Sequence, residues 1–353
     1  MRTLKMIIAV ALGLSVFTAP MDAAPSAPIR GERIPLQQAP RWTTSGAWAA
    51  QGPSLLLADV IRAEVRRYGM DGRFFGALDG GYSKAEGVDD PTLVQGAADG
   101  SVWIEHEDGH LFKLNAQLQF ERSLDLAGVK GPQGRILSLF WWVPLGSSEL
   151  LAFGHIEAGG TVSGAVFRAP IADPAKFQIL EKVAPDSPAH RFFLTGQSFL
   201  ASVQGKPYYM IMEETPYLAR PDGGRLIPVR LTKDGRQPLK RPELPERITM
   251  ENTSELFRKL EQTASPAGIY GWKDSLYVLM RTPGQRATIW SLLKINPSTN
   301  RVVWNRVVDT SANHLVVIPG ERYWAFVEKG PVKGPGNQEV SSFLRVPSRV
   351  FEE

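Results

Sequence analysis

The chain has 353 residues, 43% of them apolar and 22% charged, and no cysteine. That balance excludes wholesale disorder, because there is enough apolar surface to offset chain entropy. It also excludes disulfide staples, so stability has to come from a large buried core. The net charge of +4 is spread along the chain without a basic stripe, and nucleic-acid binding is not expected.

Arg2 and Lys5 precede an uncharged apolar stretch, Met6 to Thr18, which gives way to small residues and prolines as far as Pro28. This is the order of a secretory signal peptide. The stretch is shorter than the roughly 20 apolar residues a bilayer span needs. The expectation is a cleaved signal over residues 1–24, a secreted or periplasmic product without a membrane span, and a single domain over residues 25–353.

Short apolar runs then recur: Leu55–Leu57, Val102–Ile104, Leu150–Phe153, Tyr208–Met212, Leu276–Met280 and Tyr323–Val327, with starts 47, 48, 58, 68 and 47 residues apart. Runs this brief do not make a buried helix; a strand covered on both faces reads this way. After several of them comes a strand, a turn rich in Asp, Asn, Pro or Gly, and another strand. The turns fall at Asp71-Gly72, Asn115, Pro221-Asp222-Gly223 and Asn296-Pro297. Four strands and their turns occupy about 40 to 50 residues in a propeller blade. The spacing therefore predicts an all-β, six-bladed β-propeller, with five to seven blades allowed, each unit an inner strand followed by an outer hairpin. Phe343 to Val350 is expected to pair with a segment near Arg41 to Trp48 and so close the ring.

The long fourth interval predicts an insertion over residues 232–266. Arg236 to Arg247, with its prolines and charges, reads as an exposed extended linker. Asn252 to Glu255 reads as a capping box opening one short amphipathic helix that ends at Ser265-Pro266. Gly330 to Gln338 reads as a surface loop.

Leu57-Ala58-Asp59, Val65, Tyr68 and Asp71-Gly72, and then Ala98-Asp99-Gly100 before Val102, resemble the repeat of NHL-type six-bladed propellers. The resemblance covers about a quarter of the chain. It implies the architecture, and with it a binding platform or, less often, an enzyme such as a lactonase or lyase.

No Gly-x-Ser-x-Gly elbow, Walker A loop or His-Glu-x-x-His occurs. His106 and His110 flank Glu107-Asp108-Gly109. If that is a hairpin turn, both imidazoles share a face beside a carboxylate, a set that suits a divalent metal; the plainer reading is a solvated hairpin tip. Trp141-Trp142 could offer a ring for a sugar, but neighbours on a strand face opposite ways, so at most one serves any given surface. Asp59, directly after an apolar run, is a candidate for a channel mouth, and Asp99, Asn305 and Asn313 could serve a calcium site there. The sequence favours a monomeric binding module for a protein or carbohydrate, with no cofactor. The alternative is a hydrolase or lyase with a metal-assisted site in the central channel.

Overall fold

The computed structural model describes residues 15–16, 27–41, 43–50, 52, 54–78, 91–106, 109–185, 187–193, 199–227, 229–232, 235–241, 243, 259, 262–284, 288–329 and 342–352. Nearly all of the described secondary structure is antiparallel strand, arranged as six blades around an axis with one further two-stranded sheet. Blade 1 runs outward through Gly46–Ala49, Ser54–Asp59, Glu64–Tyr68 and Phe74–Ala77. Blade 2 follows with Pro91–Gly96, Val102–His106, His110–Leu114 and Phe120–Asp125. Blade 3 has Gly134–Leu145, Glu149–Ala158, Thr161–Pro170 and Gln178–Val183, with Lys130–Gly131 beside its first strand. Blade 4 has Leu200–Val203, Lys206–Ile211, Tyr217–Ala219 and Arg225–Ile227, and Ser15–Val16 runs parallel to the last of these. Blade 5 comprises Ser265–Trp272, Ser275–Thr282, Ile289–Asn296 and Arg301–Val308. Blade 6 joins His314–Ile318, Tyr323–Lys329 and Ser342–Pro347 to Glu32–Pro35 from the other end of the chain.

Innermost strands of blades 1 and 2, 2 and 3, 3 and 4, 4 and 5, and 6 and 1 touch one another. Blades 5 and 6 share one core cluster that includes Ala267, Tyr277, Leu279, Leu315, Val317 and Phe326. All six apolar runs lie on the second strand of their blade. Each such strand is covered on both faces by the neighbouring blades, which is why Ser54–Asp59 is buried at every position. The outer hairpins form as the turn residues dictate. Gly69 and Arg73, Asn115 and Gln119, and Arg220 and Gly224 close them through backbone hydrogen bonds, and the Asn296 side chain accepts from the N–H groups of Ser298 and Thr299.

Three expectations need correction. Ring closure is real, but Ser342–Pro347 pairs with Glu32–Pro35, not with residues 41–48. That stretch instead leads into the innermost strand of blade 1. The start of the expected linker is ordered: Gly235–Pro238 pairs with Val229–Thr232 as a hairpin, and Leu239 is buried. Ser265-Pro266 opens a strand and does not end a helix. Apart from Lys259, the expected helix from Asn252 lies outside the described residues, as do most of residues 1–24, Gly330 to Gln338 and Glu107-Asp108. Lys259 is helical, and a further short helix, Pro188–Phe193, lies between blades 3 and 4.

Closure is fixed by a buried carboxylate. Arg33 donates through Nε and Nη2 to Oε2 and Oε1 of Glu328, at 2.8 and 3.0 Å. Thr310 Oγ1 and Ser342 Oγ donate to the same group. Burial alone would raise the Glu328 carboxyl, but the hydrogen bonds from Arg33, Thr310 and Ser342 outweigh it and hold the group below its ordinary value. The chain before the closing strand also engages blade 5, where the N–H of Ile29 donates to the carbonyl of Val307 at 2.7 Å. At the other end, Phe351 is fully buried and stacks on Trp324 at 4.1 Å between ring centroids. Its carbonyl accepts from Tyr277 Oη at 2.9 Å and Lys294 Nζ at 2.7 Å.

Candidate functional site: the central channel

The six innermost strands enclose a cavity of about 860 Å³ on the propeller axis. Each strand is followed by a tight turn to the second strand, and the six turns gather at one mouth. Its rim is made largely of small residues, among them Ala50, Ala98, Gly100, Gly146, Gly205 and Gly320. The positive φ of Gly100, Gly146 and Gly205 is what these turns demand of the backbone. Gly320 is needed for a different reason: a Cβ there would lie 2.3 Å from Cδ1 of Trp48.

Aromatic rings stand among these small residues. Trp48 is half-buried, donates its indole N–H to the carbonyl of Ile318 at 3.2 Å, and rests edge-on against Phe343. Tyr323, half-buried, lies under the Arg345 guanidinium. Trp272 is buried, with the Lys273 ammonium 4.6 Å from its ring centroid. Lys273 is itself paired with Glu352, and that hydrogen bond raises its pKa. Deeper in the wall, burial pushes the Tyr270 hydroxyl well above the ordinary tyrosine range, so it stays a neutral hydrogen-bonding group held to the backbone of Val317. The other end of the cavity is lined by Thr43, Ser45, His314, Arg281 and Glu328.

Among the described residues the acids do not converge: the carboxylates lining the cavity are Glu321, on the turn-side rim, and Glu328, near the far end and committed to Arg33, Thr310 and Ser342. Among the described residues no group of three or more His, Cys, Asp or Glu side chains could hold a metal ion.

Trp141 lines the cavity, while Trp142 turns away between blades 2 and 3, donating its indole N–H to Glu105 at 2.8 Å and meeting Trp103 edge-on. The alternation along the strand separates the pair as expected. Asp59 is fully buried away from the cavity lining, accepts from the N–H of Arg41 at 2.9 Å and from Arg62 Nη1 at 3.1 Å, and so ties the chain before blade 1 to the turn after its second strand. His106 and His110 are directly opposed across their hairpin, with the His110 ring stacked on Phe112. Asp99 caps its own turn and pairs with Lys113. Asn305 lies on the exposed outer strand of blade 5, and neither it nor Asn313 lines the channel. The sequence reading did not single out Trp48, Tyr323 or Gly320; their signal is positional, since they flank the turns around the second-strand runs.

No protein-family model matches the sequence, and no curated protein matches it. Among solved structures, a member of the DUF4221 family from Bacteroides vulgatus is 8% identical, with 90% of this chain and 97% of that chain covered at a TM-score of 0.51. A gluconolactonase from Xanthomonas campestris is 12% identical, with 93% and 99% covered at 0.49. Regucalcin, a calcium-binding protein from Agrobacterium tumefaciens, is 10% identical, with 92% and 97% covered at 0.46. At such identities the likeness is one of fold. The chain is a six-bladed β-propeller, and no helix among its described residues is long and apolar enough to cross a membrane.

Proposed function

We propose that the chain is an exported binding propeller that takes a carbohydrate at the turn-side mouth of its channel. The observation that carries this is the rim itself: partly exposed Trp48 and Tyr323 rings set among small residues whose backbone is open to approach. Flat rings stack on the apolar faces of sugars, while neighbouring backbone and amide groups bond the hydroxyls. The cavity falls within the roughly 300–1,000 Å³ of small-ligand sites. Export follows from the order of charged, apolar and small residues at the N-terminus, and the repeat signature of blades 1 and 2 supports grouping the chain with NHL-type propellers. A metal-assisted hydrolase or lyase would need several ligating side chains aimed at one point; among the described residues the channel-lining carboxylates are Glu321 and Glu328, which stand apart.

The test is titration calorimetry of the mature chain against a panel of neutral oligosaccharides. Binding is expected, with Trp48→Ala weakening it about tenfold, which is about 1.4 kcal/mol. Absence of binding across the panel, or binding indifferent to Trp48→Ala and Tyr323→Ala, overturns the reading.

A further inference from the structure

A second cavity, of about 420 Å³, opens beside the channel mouth. It shares Gln204, Trp272 and Lys273 with the lining of the channel, so these three residues form the partition between the two spaces. Gln204 is on the two-residue turn between the inner strands of blade 4, and Lys273 on the matching turn of blade 5. Both turns belong to the set that makes the rim. Each residue holds a positive φ, 51° for Gln204 and 52° for Lys273, a conformation that strains any residue with a Cβ. The chain thus keeps side chains at two strained positions, and both border the two cavities. Glu321, on the blade 6 turn beside Tyr323, is near enough to Lys273 to act with Glu352 in raising its pKa, which places the partition next to the aromatic part of the rim.

One wall of the second cavity is the end of the chain. Phe351 and Glu352 line it, and their carbonyls accept from Lys294 Nζ at 2.7 and 3.1 Å. Tyr277 Oη donates to the Phe351 carbonyl, and Lys273 Nζ to the Glu352 carboxylate at 2.6 Å. The wall is fixed before a ligand arrives, and a preformed site loses less on binding. Among the described residues lining the cavity the charged groups are two ammoniums, Lys273 and Lys294, and two carboxylates, Asp274 and Glu352. They balance, which suits an uncharged ligand. Gln204 and Asp274 are exposed there. An amide both donates and accepts, and a carboxylate accepts at either oxygen; Asp274 uses Oδ1 for Ser275 Oγ, at 2.9 Å. This is a set for hydroxyl groups.

We infer that the second cavity is a further sugar subsite, and that the ligand is a linear neutral oligosaccharide long enough to pass from Trp48 and Tyr323 across the Gln204–Trp272–Lys273 partition into it. The inference rests on the carbohydrate reading of the rim. Each cavity is of the size that holds a small ligand. A short sugar fills the channel mouth alone, while a long one also gives its hydroxyls to Gln204 and Asp274. Chain length is then what the site selects.

Titration calorimetry of the whole mature chain with cello-, malto-, xylo- and manno-oligosaccharides tests this, each series taken as the disaccharide and the hexasaccharide. In the series that binds, the hexasaccharide should bind about tenfold tighter or more. Asp274→Ala should remove most of that gain and leave the disaccharide unchanged, while Trp48→Ala weakens both lengths. Equal affinity at the two lengths, or an Asp274→Ala variant that keeps the gain or weakens both lengths alike, overturns the subsite and leaves the rim reading standing. No binding in any series overturns both. Should Asp274→Ala not fold, Gln204→Ala decides: the hexasaccharide should lose more affinity than the disaccharide, and equal losses overturn the subsite.

Discussion

Blades 3 and 6 reach the same sheet by opposite routes. Blade 3 is built from one contiguous stretch, with strands of 12, 10 and 10 residues joined by short turns, and all its pairing is local. Blade 6 takes three strands from one end of the chain and its fourth, Glu32–Pro35, from the other. A local blade is held by its own hairpins; a blade shared between chain ends has to be held by something stronger than a four-residue ladder. Here that is the Arg33–Glu328 clasp, the Ile29 bridge to blade 5 and the Phe351 wedge. The ring should be robust at blade 3 and breakable at blade 6.

Deleting residues 27–36 should have the largest effect. It removes buried Ile34 and Leu36, the closing ladder and the clasp, and should lower unfolding stability by about 5 kcal/mol or more. A urea midpoint equal to that of the parent would erase the contrast between the two blades. Next is Phe351→Ala, which empties a fully buried site against Trp324 and should cost about 3 to 4 kcal/mol. Hydrogen exchange should then rise in blades 5 and 6 while blade 3 is unmoved; a rise spread evenly around the ring would show that closure is not special. The smallest effect is that of Glu328→Gln, about 2 kcal/mol at neutral pH, since Arg33 is half-exposed and partly screened. Because the Glu328 carboxyl is held below its ordinary value in the folded chain, its contribution is present above the unfolded carboxyl value of about 4.3 and lost as pH falls through the folded one. Wild-type and variant unfolding curves should therefore converge under acid, and a constant gap down to about pH 2 would assign the stability to shape, not charge.

The same contrast explains what could be read from the sequence. The second strands were legible because both faces are covered by neighbouring blades, which leaves an unbroken apolar run such as Leu55–Leu57. Two of the innermost strands were not: Gly46–Ala49 and Leu200–Val203 are only four residues long and mixed, with one face looking into the cavity. The closing strand was expected but misplaced. Glu-Arg-Ile-Pro has one buried apolar residue, and its anchor, Arg33 on Glu328, is a pairing across 295 positions that no local pattern encodes. The site shows the same division. Strand alternation separates Trp141 from Trp142, whereas Trp48 acquires a role only once Gly320, on a different blade, makes room for it.

The register of the closing pair carries a mechanical consequence. Glu32 lies opposite Arg345 and Pro35 opposite Ser342, so the two chain ends leave the pair on the same side. A load applied between them strains the inter-strand hydrogen bonds one after another and not all together. Under tension from those ends the ladder of blade 6 should therefore yield bond by bond once the Ile29 bridge and the Phe351 wedge have let go.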